Sequence, residues 1–97
     1  MTSFYYFLIN TVNPKYLNCV LDCLDVICAR YDGENCYVLC WKVKNQTNFD
    51  SLTLSQKHGT VNKIKSGSNF RRAIDWINTA PGNVYRSCIK NDNFTIY

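Results

Sequence analysis

The hydrophobic spacing of this chain changes period near its middle, and that change constrains the fold more than any other feature. After Asn13-Pro14, the apolar residues Leu17, Val20, Leu21, Leu24, Ile27, Cys28 and Tyr31 recur at helical spacing as far as Asp32-Gly33. Asn13 can accept from the free amides of a first turn, and proline at the first helical position gives up no hydrogen bond. A helix is therefore predicted over residues 14–30. Over residues 36–44 the period drops to two. Cys36, Val38, Cys40 and Lys42 share one side, and Tyr37, Leu39, Trp41 and Val43 share the other. That is a strand with one wholly apolar face.

The remaining elements are read by the same signals. Residues 4–12 are rich in aromatic and β-branched side chains and predict a first strand. The polar run 45–48 predicts a turn, and residues 49–54 and 60–64, separated at His58-Gly59, predict a hairpin of two short strands. Ser66-Gly67-Ser68-Asn69 leads into a second helix carrying Phe70, Ala73, Ile74 and Ile77, closed by Pro81-Gly82-Asn83. Residues 84–90 and 94–97 read as further strands. The order strand, helix, strand, strand, helix, strand is that of the α+β, ferredoxin-like split βαβ fold, an antiparallel sheet with two helices on one face and the other face free.

Ninety-seven residues are enough for a single domain with one core, residues 1–97, and too few for two. Apolar residues at 46% and charged residues at 19% put the chain among folded globular proteins and exclude a disordered class. The apolar run at 4–9 is far short of a membrane span and follows no basic region or cleavage pattern. The expectation is an intracellular protein, cytoplasmic or nuclear, with no membrane partner. Six cysteines could form a disulfide framework, and Asn45-Gln46-Thr47 and Asn93-Phe94-Thr95 are sequons. Without a secretory leader, reduced and mostly buried thiols are expected instead. The surplus of Asn, Tyr, Ile and Lys matches an AT-rich coding sequence of the kind common in viruses and protists.

Charge is distributed unevenly. Residues 1–50 hold four cations and five carboxylates, while residues 51–97 hold seven cations and two carboxylates. Within 51–74 lie Lys57, Lys63, Lys65, Arg71, Arg72 and the single histidine, His58, with no Asp or Glu. A cluster of cations repels itself unless phosphates or acidic groups offset it, which points to a polyanion-facing surface; the alternative is a solvated basic face. Lys65, Ser68, Arg71 and Arg72 surround the start of the second helix, where exposed amides and cations can hold a phosphate, or where Ser68 or Asn69 simply caps the helix. Tyr5, Tyr6, Phe7, Tyr37, Trp41, Phe49 and Tyr85 lie on predicted strands, interleaved with Lys42, Lys44, Lys63 and Lys65. They serve either as core or as a stacking platform.

No catalytic constellation emerges. Cys36 and Cys40, on one face of a strand, are about 13 Å apart along it, too far to share a zinc with bonds of ~2.3 Å. Cys19 and Cys23 lie one helical turn apart, without the further ligands a metal requires. His58 has no orienting partner in sequence, and Asp22 and Asp25 read as solvated positions opposite the apolar stripe of the first helix. Neither a cofactor nor a metal is expected.

In outline the chain resembles the RNA-recognition motif. Phe7-Leu8-Ile9-Asn10 is similar to its first-strand motif and residues 70–78 to its second helix, while Ser51-Leu52-Thr53-Leu54 lacks the Gly-aromatic signature of its third strand. Over almost its whole length it also resembles the small HUH replication-initiator nuclease domains of single-stranded DNA viruses. Residues 7–14 look like their opening motif, and Gly67-Ser68-Asn69 with Ala73-Ile74-Asp75-Trp76 resembles the helix that bears their nucleophile. Cys36 and Cys40 mark the place of the paired histidines, and Trp76 stands where tyrosine is needed. The resemblance thus implies fold and nucleic-acid contact without nicking chemistry. The function expected is non-catalytic binding of single-stranded DNA or RNA, as in a viral accessory protein, through Lys57, Lys63, Lys65, Ser68, Arg71, Arg72, Lys42, Lys44 and Trp41. The alternative is a protein-interaction module that engages an acidic host protein or a second copy, as a homodimer, through the basic face or a sheet edge.

Overall fold

The structure is a computed structural model and describes residues 3–87. The elements run β1 (Phe4–Asn10), α1 (Pro14–Asp22), β2 (Leu24–Tyr31), β3 (Asn35–Val43), α2 (Gln46–Ser55), β4 (Thr60–Gly67), α3 (Phe70–Asn78) and β5 (Asn83–Ser87). They form an α+β fold in which five strands make one sheet of order β4-β1-β3-β2-β5, each neighbouring pair antiparallel. The strand expected at 94–97 and the end of the one expected at 84–90 lie outside the described residues.

The start of α1 is as predicted. The Asn13 side chain accepts from the amides of Lys15 and Tyr16, and Pro14 opens the helix. The helix stops at Asp22, however, and residues 24–31, expected to continue it, form β2. Two register shifts against β3, at Leu24/Val26 and at Val26/Cys28, break the strand's alternation. Its apolar residues Leu24, Ile27, Cys28 and Tyr31 have the i, i+3, i+4, i+7 spacing of a helix, but Leu24 and Tyr31 pack into the core under α1 while Ile27 and Cys28 pack on the α3 side. Pairing on both sides, with β3 and β5, outweighs that local resemblance. Asp25 therefore sits half-buried on a strand, while Asp22 is exposed and pairs with Arg86 at 3.6 Å.

A second correction concerns residues 45–55. The expected turn and strand are instead α2: Asn45 caps it by accepting from the Asn48 amide, Gln46 donates to Asp50 one turn on, and Gln56 ends it in the left-handed region at φ 51°. With no strand at 49–54, the expected hairpin does not form, and β4 pairs with β1 instead. The chain enters β4 through Gly59, where a Cβ would collide with the Asn10 carbonyl and Thr11.

The sheet is covered on both faces. Below it, α1 and α2 close a core of Phe7, Ile9, Leu17, Val20, Leu21, Leu24, Ala29, Cys36, Val38, Cys40 and Phe49. Above it, α3 packs Ala73 and Ile77 onto Phe4, Tyr6, Ile27, Cys28 and Leu39, with Tyr37, Trp41, Phe70 and Trp76 at the partly buried margin. The two helices expected on one face, starting at Pro14 and Phe70, thus lie on opposite faces. The second face is not free, and the helix that joins α1 below is the unforeseen α2. With its fifth strand, the sheet also differs from the four-stranded ferredoxin-like layout. Period-two alternation in β3 explains the two-sided burial: Cys36, Val38 and Cys40 face α1, while Tyr37, Leu39 and Trp41 face α3.

Candidate nucleic-acid interface

The lower face is closed unevenly. Beneath α1, Tyr16, Leu17, Val20 and Leu21 are buried against the sheet; α2 contributes one buried residue, Phe49, whose ring meets Phe7 edge-on at 5.5 Å. The Tyr16 hydroxyl donates to the Leu52 carbonyl and ties the two helices together. Between α2 and strands β1, β3 and β4 this leaves a groove of about 560 Å³, lined by Tyr5, Phe7, Lys42, Val43, Gln46, Phe49, Thr53, Val61 and Lys63. Its size lies in the range of small-ligand sites, roughly 300–1,000 Å³. Two lysines and no carboxylate line it.

Register places these groups. On central β1, Tyr5 is paired with Cys40 of β3 on one side and Ser66 of β4 on the other. Lys42 lies two residues beyond Cys40 on the same face, and Lys63 pairs with Phe7, two residues along β1. A half-buried phenol ring is thus flanked on either side by an exposed lysine. The Lys63 Nζ lies 5.6 Å from the Tyr5 ring centre, a cation–π contact worth ~0.5–1 kcal/mol at an exposed site.

The other expected site residues are dispersed. Lys65 is on β4 but turned to the upper face, its Nζ 5.5 Å from the Trp76 ring. Arg71 and Arg72 are exposed in the first turn of α3, whose cap is Asn69, accepting from the Arg72 amide, and not Ser68, which is exposed. Trp41 lies on the upper face, stacked with Phe70 at 6.2 Å and 11° and tilted against Phe4 at 4.9 Å. Lys44 is exposed past the end of β3, and its amide bonds the Cys23 carbonyl; Lys57 is exposed in the loop before β4. Of the nine residues singled out, the groove unites two, Lys42 and Lys63. It adds Gln46 and Thr53, overlooked because α2 was read as a turn and strand. The Asn45 cap, the Gln46–Asp50 pair and the Phe49–Leu52 spacing are the signals that mark that helix.

Burial keeps protons on the thiols of β3 and on one phenol of β1. Burial pushes the Cys36 and Cys40 thiols up to about 12, and so both are protonated near neutrality and poor nucleophiles. Burial, assisted by neighbouring Tyr37, likewise raises Tyr6 to about 12; its hydroxyl donates to the Trp76 carbonyl and ties β1 to α3. Of the five described cysteines, Cys19 is exposed and Cys23, Cys28, Cys36 and Cys40 are buried. Among the described residues, no group of three His, Cys, Asp or Glu gathers where a metal could sit, and no helix is long and apolar enough to cross a membrane. Comparison with protein-family models, with curated proteins and with solved structures gives no match.

Proposed function

We propose that this chain is a small, non-catalytic module that binds single-stranded nucleic acid, and that the groove beneath α2 is where it does so. The observation that carries this reading is the pairing of Lys42 and Lys63 about the ring of Tyr5, in a groove without a carboxylate. Each lysine can neutralise one phosphate of a passing strand, and a base can take the ring face that Lys63 covers once its ammonium turns to phosphate. Base stacking on phenol rings is sequence-tolerant, because every base has a π-face. Gln46 and Thr53 on the opposite wall donate to Asp50 within α2 and leave an amide oxygen and a hydroxyl oxygen to accept from base edges.

We also propose a split βαβ relationship, on the grounds that β3 lies between β1 and β2 in the sheet, with α3 and β5 as an extension of the unit β1, α1, β2, β3, α2 and β4. The resemblance of Phe7-Leu8-Ile9-Asn10 to the first-strand motif of the RNA-recognition motif then falls on β1, the strand that carries Tyr5. An acidic protein would meet the same lysines. Homodimerisation through β4 is opposed by its bulge and by Lys63 and Lys65, features that keep an edge from pairing with another strand.

Salt dependence tests the proposal. Two phosphate contacts on a single strand give a slope of log affinity against log salt of roughly −1.4. Lys42→Ala and Lys63→Ala should each reduce its steepness by about 0.7. An acidic protein partner that binds while oligonucleotides do not at low salt would replace this reading with the protein-interaction one.

A further inference from the structure

The outer strand β4 carries two lysine–aromatic pairs that face opposite ways. In a regular strand, residues two apart share a face. Here the register against β1 shifts between Tyr6 and Phe7, so that Phe7 pairs with Lys63, Tyr6 pairs with Lys65, and Ile64 has no partner across the ladder. Because Tyr6 and Phe7 are adjacent on β1 and point to opposite faces, the lysines opposite them do so too. Lys63 lies over Tyr5 on the groove side, and Lys65 lies over Trp76 on the α3 side. A bulge next to a site re-aims side chains in this manner. Arg72, exposed in the first turn of α3, adds a cation on that side of the stretch 51–74, which has no Asp or Glu.

We infer that β4 is a two-faced clamp: a single strand of nucleic acid crosses its outer edge, with one phosphate against Lys63 in the groove and a later one against Lys65 beside Trp76. This rests on the nucleic-acid reading of the groove and adds the path of the strand to it. Lys63 and Lys65 point to opposite faces of the sheet, so the single internucleotide phosphate of a dinucleotide cannot meet both. A dinucleotide therefore reaches one face only, whereas an octanucleotide reaches both.

The test is competition of unlabelled dithymidylate and octathymidylate against a labelled octathymidylate at low salt, for the whole chain and its variants. Lys63→Ala weakens both competitors. Lys65→Ala weakens octathymidylate three- to tenfold and leaves dithymidylate unchanged. Octathymidylate, but not dithymidylate, changes the tryptophan emission, and Trp76→Phe removes that change. If Lys65→Ala leaves octathymidylate affinity unchanged, or weakens both lengths equally, the clamp is wrong while the groove reading stands. If the unaltered chain binds neither length, the groove reading itself fails.

Discussion

α1 and α2 lie on the same face of one sheet, yet they close it to different degrees. α1 presents four buried residues, Tyr16, Leu17, Val20 and Leu21, over the buried thiols of β3. α2 presents one, Phe49, with Leu52 half-buried and Leu54 81% exposed. Where packing is complete, the chemistry is silent: the thiols are protonated and polar groups are few. Where packing is incomplete, a groove remains, and the neighbouring strands deliver lysines to its rim. The difference indicates that α1 fixes the fold, while α2 is a thinly attached wall whose cost in stability leaves room for a ligand.

The largest expected contrast is therefore in the core. Leu17→Ala, fully buried under α1, should destabilise the chain by about 3 kcal/mol, whereas Leu52→Ala under α2 should cost about 1 kcal/mol; denaturant unfolding measures both. Equal losses would erase the distinction between the two helices. Alkali probes the α1 half next. The Cys36 and Cys40 thiols have an ordinary value of 9.0 and are raised by burial to about 12. The folded chain thus holds protons that the unfolded chain releases. Their contribution is fully present below pH 9 and is lost as pH rises through about 12. Thermal melts between pH 8 and 11 should show falling stability, and Cys36→Ala with Cys40→Ala should flatten that decline. A decline of unchanged slope in the double variant would assign it to other groups.

Smaller effects sharpen the picture of α2. Asn45→Ala removes the acceptor for the Asn48 amide and should cost about 1 kcal/mol, lost mainly as faster hydrogen exchange within α2. Gln56→Gly relieves the left-handed backbone at φ 51° and should gain some tenths of a kcal/mol, up to about 1. A loss on that substitution would show that the Gln56 side chain contributes more than its strain.

Much of the fold was legible because it is encoded locally. The Asn13-Pro14 start, the alternation of β3, and α3 from Phe70 to Ile77 depend on neighbours in sequence, and each appears where spacing places it. β2 was illegible for a physical reason: burial on both faces of the sheet gives its apolar residues the spacing of a helix, and only its two partner strands decide between them. α2 was hidden because Thr47, Asn48, Ser51 and Thr53 are weak helix formers and Leu52 and Leu54 stand two apart, as on a strand face. The site was half legible. The acid-free stretch contains Lys63, but its groove partner Lys42 lies outside it, and they meet only through the strand order β4-β1-β3. The bulge that sends Lys63 and Lys65 to opposite faces leaves no mark in the charge count.

The proposed binding of single-stranded nucleic acid in the groove beneath α2 depends on Lys42 and Lys63. It is tested most directly by titrating a labelled single-stranded oligonucleotide with the unaltered chain and with the Lys42→Ala, Lys63→Ala double variant, at two salt concentrations. Both lysines are exposed, and the variant should keep its melting temperature. Binding should weaken with salt and fall by a factor on the order of 10–100 in the variant, the loss of two charged contacts of about 0.7–1.4 kcal/mol each. Undiminished binding by a folded double variant, or no binding by the unaltered chain at low salt, would contradict it.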